Sequence, residues 1–168
     1  MDDKQLSTLV DAVTKRILGN YTESESTKYS KGNISLSTAR KLVAKVEAEA
    51  KRIGVKAVVA VSNAGARPVI IECMDDSYIA SYDIALNKAY TAVAIKMSTS
   101  KLKELSGPGS PLYGIQFTNN GQIVIFGGGE PLVCNGEVVG GLGVSGGSEE
   151  QDAYLGAYGA KVFAEELL

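Results

Sequence analysis

The sequence predicts an α+β fold in which an antiparallel sheet is flanked by helices. Strand-like apolar runs occur close together along the chain, and the turns between them are short enough to form hairpins. Longer segments with helical periodicity or alanine-rich composition come before, between and after these runs. The chain has 168 residues, of which 45% are apolar and 21% charged, as is typical of one globular domain with a short appendage.

The N-terminal residues 1–20 predict a short amphipathic helix that is separate from the main domain. Its apolar side chains recur at the spacing of one helix face, and they are Leu6, Leu9, Val10, Val13 and Ile17. Residues 21–33 have no aliphatic side chain and are rich in Ser, Thr, Lys and Glu, which predicts a flexible linker. The main domain is therefore predicted to cover residues 34–168.

The main domain begins with a predicted helix over residues 35–54, followed by a hairpin. Ser35 or Ser37 is placed to cap the helix. The apolar face of the helix consists of Leu36, Ala39, Leu42, Val43, Val46, Ala50 and Ile53. Residues 55–63 and 67–74 predict two strands, because both are rich in β-branched side chains and only the turn "AGA" separates them.

The second half of the domain predicts two helices, a three-stranded meander and a closing helix. The first helix covers residues 77–97, and a shorter one starts at Ser98. The predicted strands, with a turn at 127–131 after the first of them, are 121–126, 132–133 and 138–147. The pair Asn135–Gly136 is typical of a type I′ hairpin turn. Ser148 and Gln151 have the spacing of a capping box for the last helix.

The composition excludes several classes of function. The chain contains no histidine, which excludes a Ser-His-Asp triad and an imidazole metal ligand. A net charge of −2 gives no electrostatic footprint for nucleic acid. No apolar run is long enough to span a bilayer, the first residues lack the pattern of a secretory signal, and two cysteines do not make a disulfide framework. We therefore expect a cytoplasmic protein.

Two stretches of the chain resemble a known family. Residues 127–152, "GGGEPLVCNGEVVGGLGVSGGSEEQD", resemble the signature that ends the sheet and opens the last helix in the GlcG/HbpS family, which includes the C-terminal domain of the propanediol-utilisation protein PduO. Residues 84–102 resemble a Lys-Ala-x-Thr-Ala helix of that family. The resemblance covers residues 34–168 and implies a profilin-like antiparallel sheet, flanked by helices and assembled into a homo-oligomer. The adenosyltransferase domain of PduO is absent, so its activity is not expected here.

The resemblance also implies binding of haem or a related tetrapyrrole, and cobalamin is a further candidate. The candidate ligand-binding residues are Met74, Lys88, Gly127, Gly128, Gly146 and Gly147. Met74 is the soft-ligand candidate for an iron, since the chain offers no imidazole. Two positions depart from the family pattern: residues 62–65 replace an Asp-x-x-Gly turn, and Cys73-Met74-Asp75 replaces Arg-Met-Asp.

Each of these candidates also has a structural interpretation. The glycines of "VVGGLGVSGGS" either let a helix or a second subunit pack closely, or leave backbone N–H groups at the strand-to-helix junction free for an anion. Residues 127–131 form either a turn or a cleft wall. Lys88 either extends to solvent or meets an acidic group, and Met74 is either a core residue or a ligand.

The N-terminal helix and its polar tether resemble the encapsulation peptides of bacterial microcompartment cargo, which lay an apolar face into a groove of a shell or partner protein. The resemblance implies a location within a microcompartment, reached through the apolar face of residues 1–20. The alternative is an extra helix that packs on its own domain or on a dimer partner. A membrane-surface helix is disfavoured, because no aromatic anchor precedes Tyr21 and both charge signs occur on the polar face.

Three functional hypotheses follow. The first is a binding module for haem, or for a corrinoid such as cobalamin, in a microcompartment pathway such as propanediol or ethanolamine degradation. The second is an enzyme or corrinoid-handling protein of the same pathway, although the sequence shows no catalytic constellation. The third is a structural oligomer without a ligand. The expected partners are further copies of the chain and microcompartment shell or cargo proteins, with no nucleic acid and no membrane.

Overall fold

The computed structural model describes residues 29–30 and 32–168. The predicted helix at 1–20 and residues 21–28 and 31 of the predicted linker lie outside this range, so those assignments stay predictions. In chain order the strands are β1 (Tyr29–Ser30), β2 (Asn33–Ile34), β3 (Val58–Asn63), β4 (Pro68–Cys73), β5 (Gly129–Cys134) and β6 (Glu137–Ser145). The α-helices are α1 (Leu36–Arg52), α2 (Ser81–Ile95), α3 (Thr99–Ser106) and α4 (Glu149–Val162), and Phe163–Leu167 continues α4 as a π-helix. Two short 3₁₀ helices cover Ile115–Phe117 and Asn119–Gly121.

Four of the strands form one antiparallel sheet in the order β4–β3–β6–β5. This sheet and the helices around it confirm the predicted α+β class. Strands β1 and β2 form a separate hairpin that crosses the predicted boundary between linker and domain. No helix in the described part of the chain is both long enough and apolar enough to cross a membrane.

Local sequence signals account for several element ends. The Oγ of Ser35 accepts a hydrogen bond from the backbone N–H of Thr38 at 3.1 Å and so caps α1. Ser148 caps α4 in a reciprocal capping box with Gln151, as predicted. The Asn135–Gly136 pair has positive φ at both residues and joins β5 to β6, which confirms the predicted hairpin turn.

Helices cover both faces of the sheet. Helices α1 and α4 pack on one face and bury the larger apolar core, whose fully buried large side chains include Leu42, Val43, Val46, Leu142 and Leu155. Helix α2 covers the other face, where Ala85 and Ala89 lie against Val58 and Ala60. The predicted apolar face of α1 is largely confirmed, but Leu36 in its first turn is 45% exposed.

The glycines of β6 explain how closely α2 approaches the sheet. A Cβ atom added at Gly143 would lie 2.6 Å from the backbone nitrogen of Ala89, and one added at Gly141 would lie 2.8 Å from Cγ2 of Val93. No side chain fits at such distances, so α2 rests directly on the strand backbone. For these glycines the interpretation as a site of close helix packing is confirmed.

The strand predicted over residues 121–126 is wrong. Ile123 and Val124 are buried, but the segment joins neither sheet in the described part of the chain. Instead, the backbone N–H of Val124 donates to Oγ1 of Thr91 in α2 at 3.0 Å. Because a helix side chain satisfies this backbone group, the apolar run is buried without a partner strand.

Candidate functional site

One end of the sheet brings several segments of the chain together. The register places Val58, at the start of β3, opposite both Cys73, at the end of β4, and Ser145, at the end of β6. Helices α2 and α4 begin shortly after these two strand ends. The residues just after α1 lie beside them, since Gly54 and Gly146 line the same pocket. The result is a groove between strand ends and helix ends.

The groove consists of three compartments, here called the first, middle and third. The first compartment has a volume of about 540 Å³, and Met74 is among the residues that line it. The middle compartment has a volume of about 520 Å³ and is lined by Gly146 and Gly147 among others. The third compartment, of about 350 Å³, lies between Phe126 and the first turn of α4.

The three compartments adjoin one another. Lys56 and Asp76 line both the first and the middle compartment. Tyr78, Gly146 and Gly147 line both the middle and the third. Shared walls of this kind make the groove one elongated site rather than three separate cavities, and elongated concave sites with a few polar groups are typical of ligand binding.

Lys88 lies beneath the third compartment and is completely buried. Its Nζ donates to the carbonyl oxygen of Val144 at 2.8 Å and to Oδ2 of Asp152 at 2.8 Å. The ring of Phe126 covers the ammonium group, with its centroid 4.9 Å from Nζ. Burial lowers the pKa of Lys88, and the nearby carboxylates of Asp152 and Glu149 oppose that change. The interpretation that Lys88 extends to solvent is wrong, and its acidic partner belongs to the protein itself.

Asp152 joins this buried pair to the glycine-rich junction between β6 and α4. Its Oδ2 accepts from Lys88, and its Oδ1 accepts from the backbone N–H of Gly147 at 2.9 Å. The next N–H group, that of Ser148, donates to Oε1 of Gln151 at 2.9 Å. Side chains of α4 therefore occupy the N–H groups of Gly147 and Ser148, so these two groups are not free to bind an anion.

Met74 lies in the groove and is also engaged by the fold. It lines the first compartment and packs against the larger core. Its Sδ accepts a hydrogen bond from the backbone N–H of Ala57 at 3.3 Å. The neighbouring Cys73 is an exposed free thiol that lines the same compartment. Of the two sulfur-containing side chains, Cys73 is the more accessible to a ligand.

Gly127 and Gly128 lie behind the groove rather than in its lining. A Cβ atom added at Gly128, whose φ is +112°, would lie 2.8 Å from Nζ of Lys88. The backbone N–H of Gly127 donates to Oε1 of Glu149 at 3.3 Å. The predicted turn at 127–131 is therefore only half correct, because β5 already begins at Gly129. These two glycines let the chain pass close to the buried lysine.

Sequence reasoning missed Tyr78, Ile79, Phe126 and the pairing of Asp152. Tyr78 is 72% exposed and Ile79 is 95% exposed, which is unusual for large apolar neighbours beside a pocket. Phe126 was assigned to the wrongly predicted strand and was therefore not considered as a lining residue. Asp152 has the position of an ordinary acid in the first turn of a helix. Lys88 and Asp152 are 64 residues apart, and no local pattern connects them.

The described residues were compared with the ligand sets of protein metal sites. Within residues 29–30 and 32–168, no group of three or more His, Cys, Asp or Glu residues is arranged to hold a metal ion.

Relatives of known sequence cover most of this chain. A 15.0 kDa protein in the dhaT-dhaS intergenic region of Citrobacter freundii, described as uncharacterized, is 44% identical over 132 residues, which is 79% of this chain and 93% of that protein. The corrinoid adenosyltransferase PduO of Salmonella typhimurium is 33% identical over 150 residues, which is 89% of this chain and 45% of PduO. The chain thus spans less than half the length of PduO.

A solved structure gives the same fold. The crystal structure of the PduOC:haem complex superposes with a TM-score of 0.74 at 34% identity, covering 77% of this chain and 94% of that one. This similarity supports the α+β assignment independently of the sequence signals. A model of the HbpS-like family, described as "Haem degrading protein HbpS-like", matches residues 34–161. The chain therefore belongs to the HbpS-like family.

Proposed function

We propose that the protein binds a planar tetrapyrrole, with haem as the first candidate, in the groove at the end of the sheet. The observation that carries this proposal is the similarity to PduOC, whose structure contains haem, at 34% identity. The match to PduO supports a role in the same metabolic context. It does not extend to adenosyltransferase activity, because the match covers 45% of PduO.

The residues of the groove fit such a ligand. Tyr78 and Phe126 line the third compartment and are 72% and 37% exposed, so they present aromatic surface to a flat ring system. The sulfur donors Cys73 and Met74 lie in the first compartment, at the other end of the groove, so a ring held in the third compartment does not place its iron on them. Bound haem would supply an iron centre for ligand binding or electron transfer. Cobalamin is the second candidate, because PduO is named for corrinoid chemistry.

A titration of the full chain with hemin and with cyanocobalamin, followed by absorbance, tests the ligand. We expect saturable binding of hemin, weakened about threefold to tenfold by Phe126→Ala through loss of stacking. Phe117→Ala is the matched control, because Phe117 is 82% exposed and lies outside the residues that line the three compartments. Binding that does not saturate, or that both substitutions weaken equally, contradicts the proposed site.

We also propose that residues 1–20 direct the protein to a bacterial microcompartment, within the cytoplasm. The apolar face of the predicted helix supports this role. Residues 1–20 fused to a fluorescent protein should co-localise with a shell. Leu9→Glu together with Val13→Glu should abolish co-localisation by placing charge in the apolar contact, and Lys4→Gln should not. Diffuse fluorescence of the unmodified fusion would favour the alternative of a helix that packs on its own domain.

The assembly that we propose is a homo-oligomer. Ile79, which is 95% exposed, leaves apolar surface uncovered beside the groove, and a second copy of the chain would cover it. Light scattering at micromolar concentrations should give a mass that is a multiple of 17.6 kDa. A monomeric mass over that whole range would refute the assembly.

A further inference from the structure

The middle compartment contains an ion pair that a ligand can reach. The Nζ of Lys56 lies 2.8 Å from Oδ2 of Asp76, and the two side chains are 59% and 77% exposed. Both residues line the first and the middle compartment, so the pair lies where these compartments meet. Asp76 follows β4 in a left-handed conformation with φ of 62°. Lys56 precedes β3, and the pair therefore links two neighbouring strand ends.

Lys56 is the cation that the groove makes available at its centre. Lys88 is completely buried and already donates to Val144 and Asp152. Lys51 lines only the first compartment, where three carboxylates, including Asp76, also lie. Among the residues that line the middle compartment, Lys56 is thus the only cationic one.

The third and the middle compartment differ in the charged groups that a ligand can reach. The third compartment presents the carboxylates of Glu149 and Asp152 beside the aromatic rings of Tyr78 and Phe126. No residue that lines this compartment is cationic, and its carboxylates are already paired, Asp152 with Lys88 and Glu149 with Lys103. An acidic group on a ligand therefore finds no partner there, whereas an apolar ring is accommodated. In the middle compartment, by contrast, the ammonium group of Lys56 can receive an acid.

The cost of releasing Lys56 from Asp76 is small. Ion pairs with this degree of exposure contribute little, because water and salt screen them and long side chains lose entropy when they pair. A carboxylate delivered by a ligand that is already held by apolar contacts competes well with Asp76, since its local concentration is high. Asp76 then returns to solvent, to which it is already largely exposed.

We propose that Lys56 is a carboxylate-binding subsite, and that the ligand is an acidic tetrapyrrole whose propionate side chain replaces Asp76 on Lys56. This inference rests on the proposed function and specifies which tetrapyrrole the groove selects. The ring system lies toward Tyr78 and Phe126, and the acid lies toward Lys56. A corrinoid whose side chains are amides lacks the group that Lys56 recognises.

The test compares hemin with hemin dimethyl ester, in which both propionates are esterified, on the full chain. Lys56→Gln should weaken hemin binding about twofold to fivefold and leave ester binding unchanged. Asp76→Asn should strengthen hemin binding by a similar factor, because it removes the competitor. Lys45→Gln is the matched control: Lys45 is half-exposed, pairs with Glu166 at 2.8 Å and is absent from the groove lining.

The outcomes separate this inference from the proposed function. If hemin binds but Lys56→Gln affects hemin and its ester equally, or affects neither, the carboxylate subsite is refuted while tetrapyrrole binding stands. The subsite is also refuted if Asp76→Asn binds hemin no more tightly than the unmodified chain, or if cyanocobalamin binds more tightly than hemin. If neither hemin nor its ester binds, the proposed function fails and the inference fails with it.

Discussion

Two lysine–aspartate pairs lie at the same end of the sheet and have the same N–O distance of 2.8 Å. In the pair of Lys88 and Asp152 the side chains are 0% and 5% exposed, whereas in the pair of Lys56 and Asp76 they are 59% and 77% exposed. The distance is identical, so the surroundings decide what each pair does. The buried pair cannot separate without leaving a charge in the interior, and the exposed pair exchanges partners easily.

The difference follows from what packs on each lysine. Lys88 belongs to α2, which rests on the backbone of the β6 glycines, and Phe126 closes over its ammonium group. Lys56 lies in the short connection between α1 and β3, where its side chain lines the groove and remains 59% exposed. The first pair holds α2, β6 and α4 together, and the second is available for recognition.

The largest expected loss of stability comes from a substitution that displaces α2 from the sheet. Gly143→Val should prevent stable folding, because its side chain would collide with the backbone of Ala85 and Ala89 and could not be accommodated without moving the helix that carries Lys88. Circular dichroism and thermal unfolding measure this directly. Gly107→Val is the control, since a Cβ there meets only Oγ of Ser110, at 3.9 Å. A Gly143→Val protein with an unchanged melting temperature would show that the close packing is not required.

The next largest effect tests the buried pair. Lys88→Met leaves the Asp152 carboxylate buried without its cation and should lower the free energy of unfolding by about 3–5 kcal/mol. Adding Asp152→Asn should restore part of the loss, because the amide oxygen can still accept from Gly147. Lys56→Gln, by contrast, should leave urea unfolding almost unchanged. Equal losses for the two lysine variants would remove the distinction between the pairs.

Glu130 extends the comparison of buried and exposed acids, because burial alone shifts its pKa and no cation opposes the shift. Burial raises the pKa of Glu130 in β5 from 4.5, the ordinary value of a glutamate, to about 7. The folded state therefore binds more protons than the unfolded state between these values. The contribution of Glu130 to stability is fully present below about pH 4.5 and is lost as the pH rises from there through 7. Glu130→Gln should flatten this dependence and stabilise the protein at pH 7.5 by about 1 kcal/mol, given partial exposure to solvent.

Urea unfolding of both proteins at pH 4.5 and pH 7.5 measures the effect. Glu104→Gln is a suitable control, because Glu104 pairs with Lys101 on the surface, where both side chains are more than half exposed. If the unmodified protein and Glu130→Gln lose stability in parallel between the two pH values, Glu130 is not the group that titrates.

Much of the fold was predictable because its signals are local. The capping box of Ser148 and Gln151, the cap at Ser35 and the Asn135–Gly136 turn each involve residues within four positions of one another. In contrast, the prediction of a strand over residues 121–126 is wrong, because an apolar run such as Ile123 and Val124 can be buried in a strand or in an extended loop. The hydrogen bond from the backbone N–H of Val124 to Oγ1 of Thr91 favours the loop, and the position of Thr91 depends on where α2 packs.

The sequence by itself determined the α-helices, the β3–β4 and β5–β6 hairpins and the α+β class, because hydrogen bonds and steric demands between near neighbours specify them. Only the tertiary structure showed that Gly141 and Gly143 serve close helix packing. The tertiary structure alone decided which charges meet. Lys88 finds Asp152 across 64 residues, and Lys56 finds Asp76 across 20. The tertiary structure also brings Tyr78, Phe126 and Met74 into one groove, although they are distant in the sequence. The physical reason is that burial and electrostatic pairing depend on distances in space, which chain spacing does not encode.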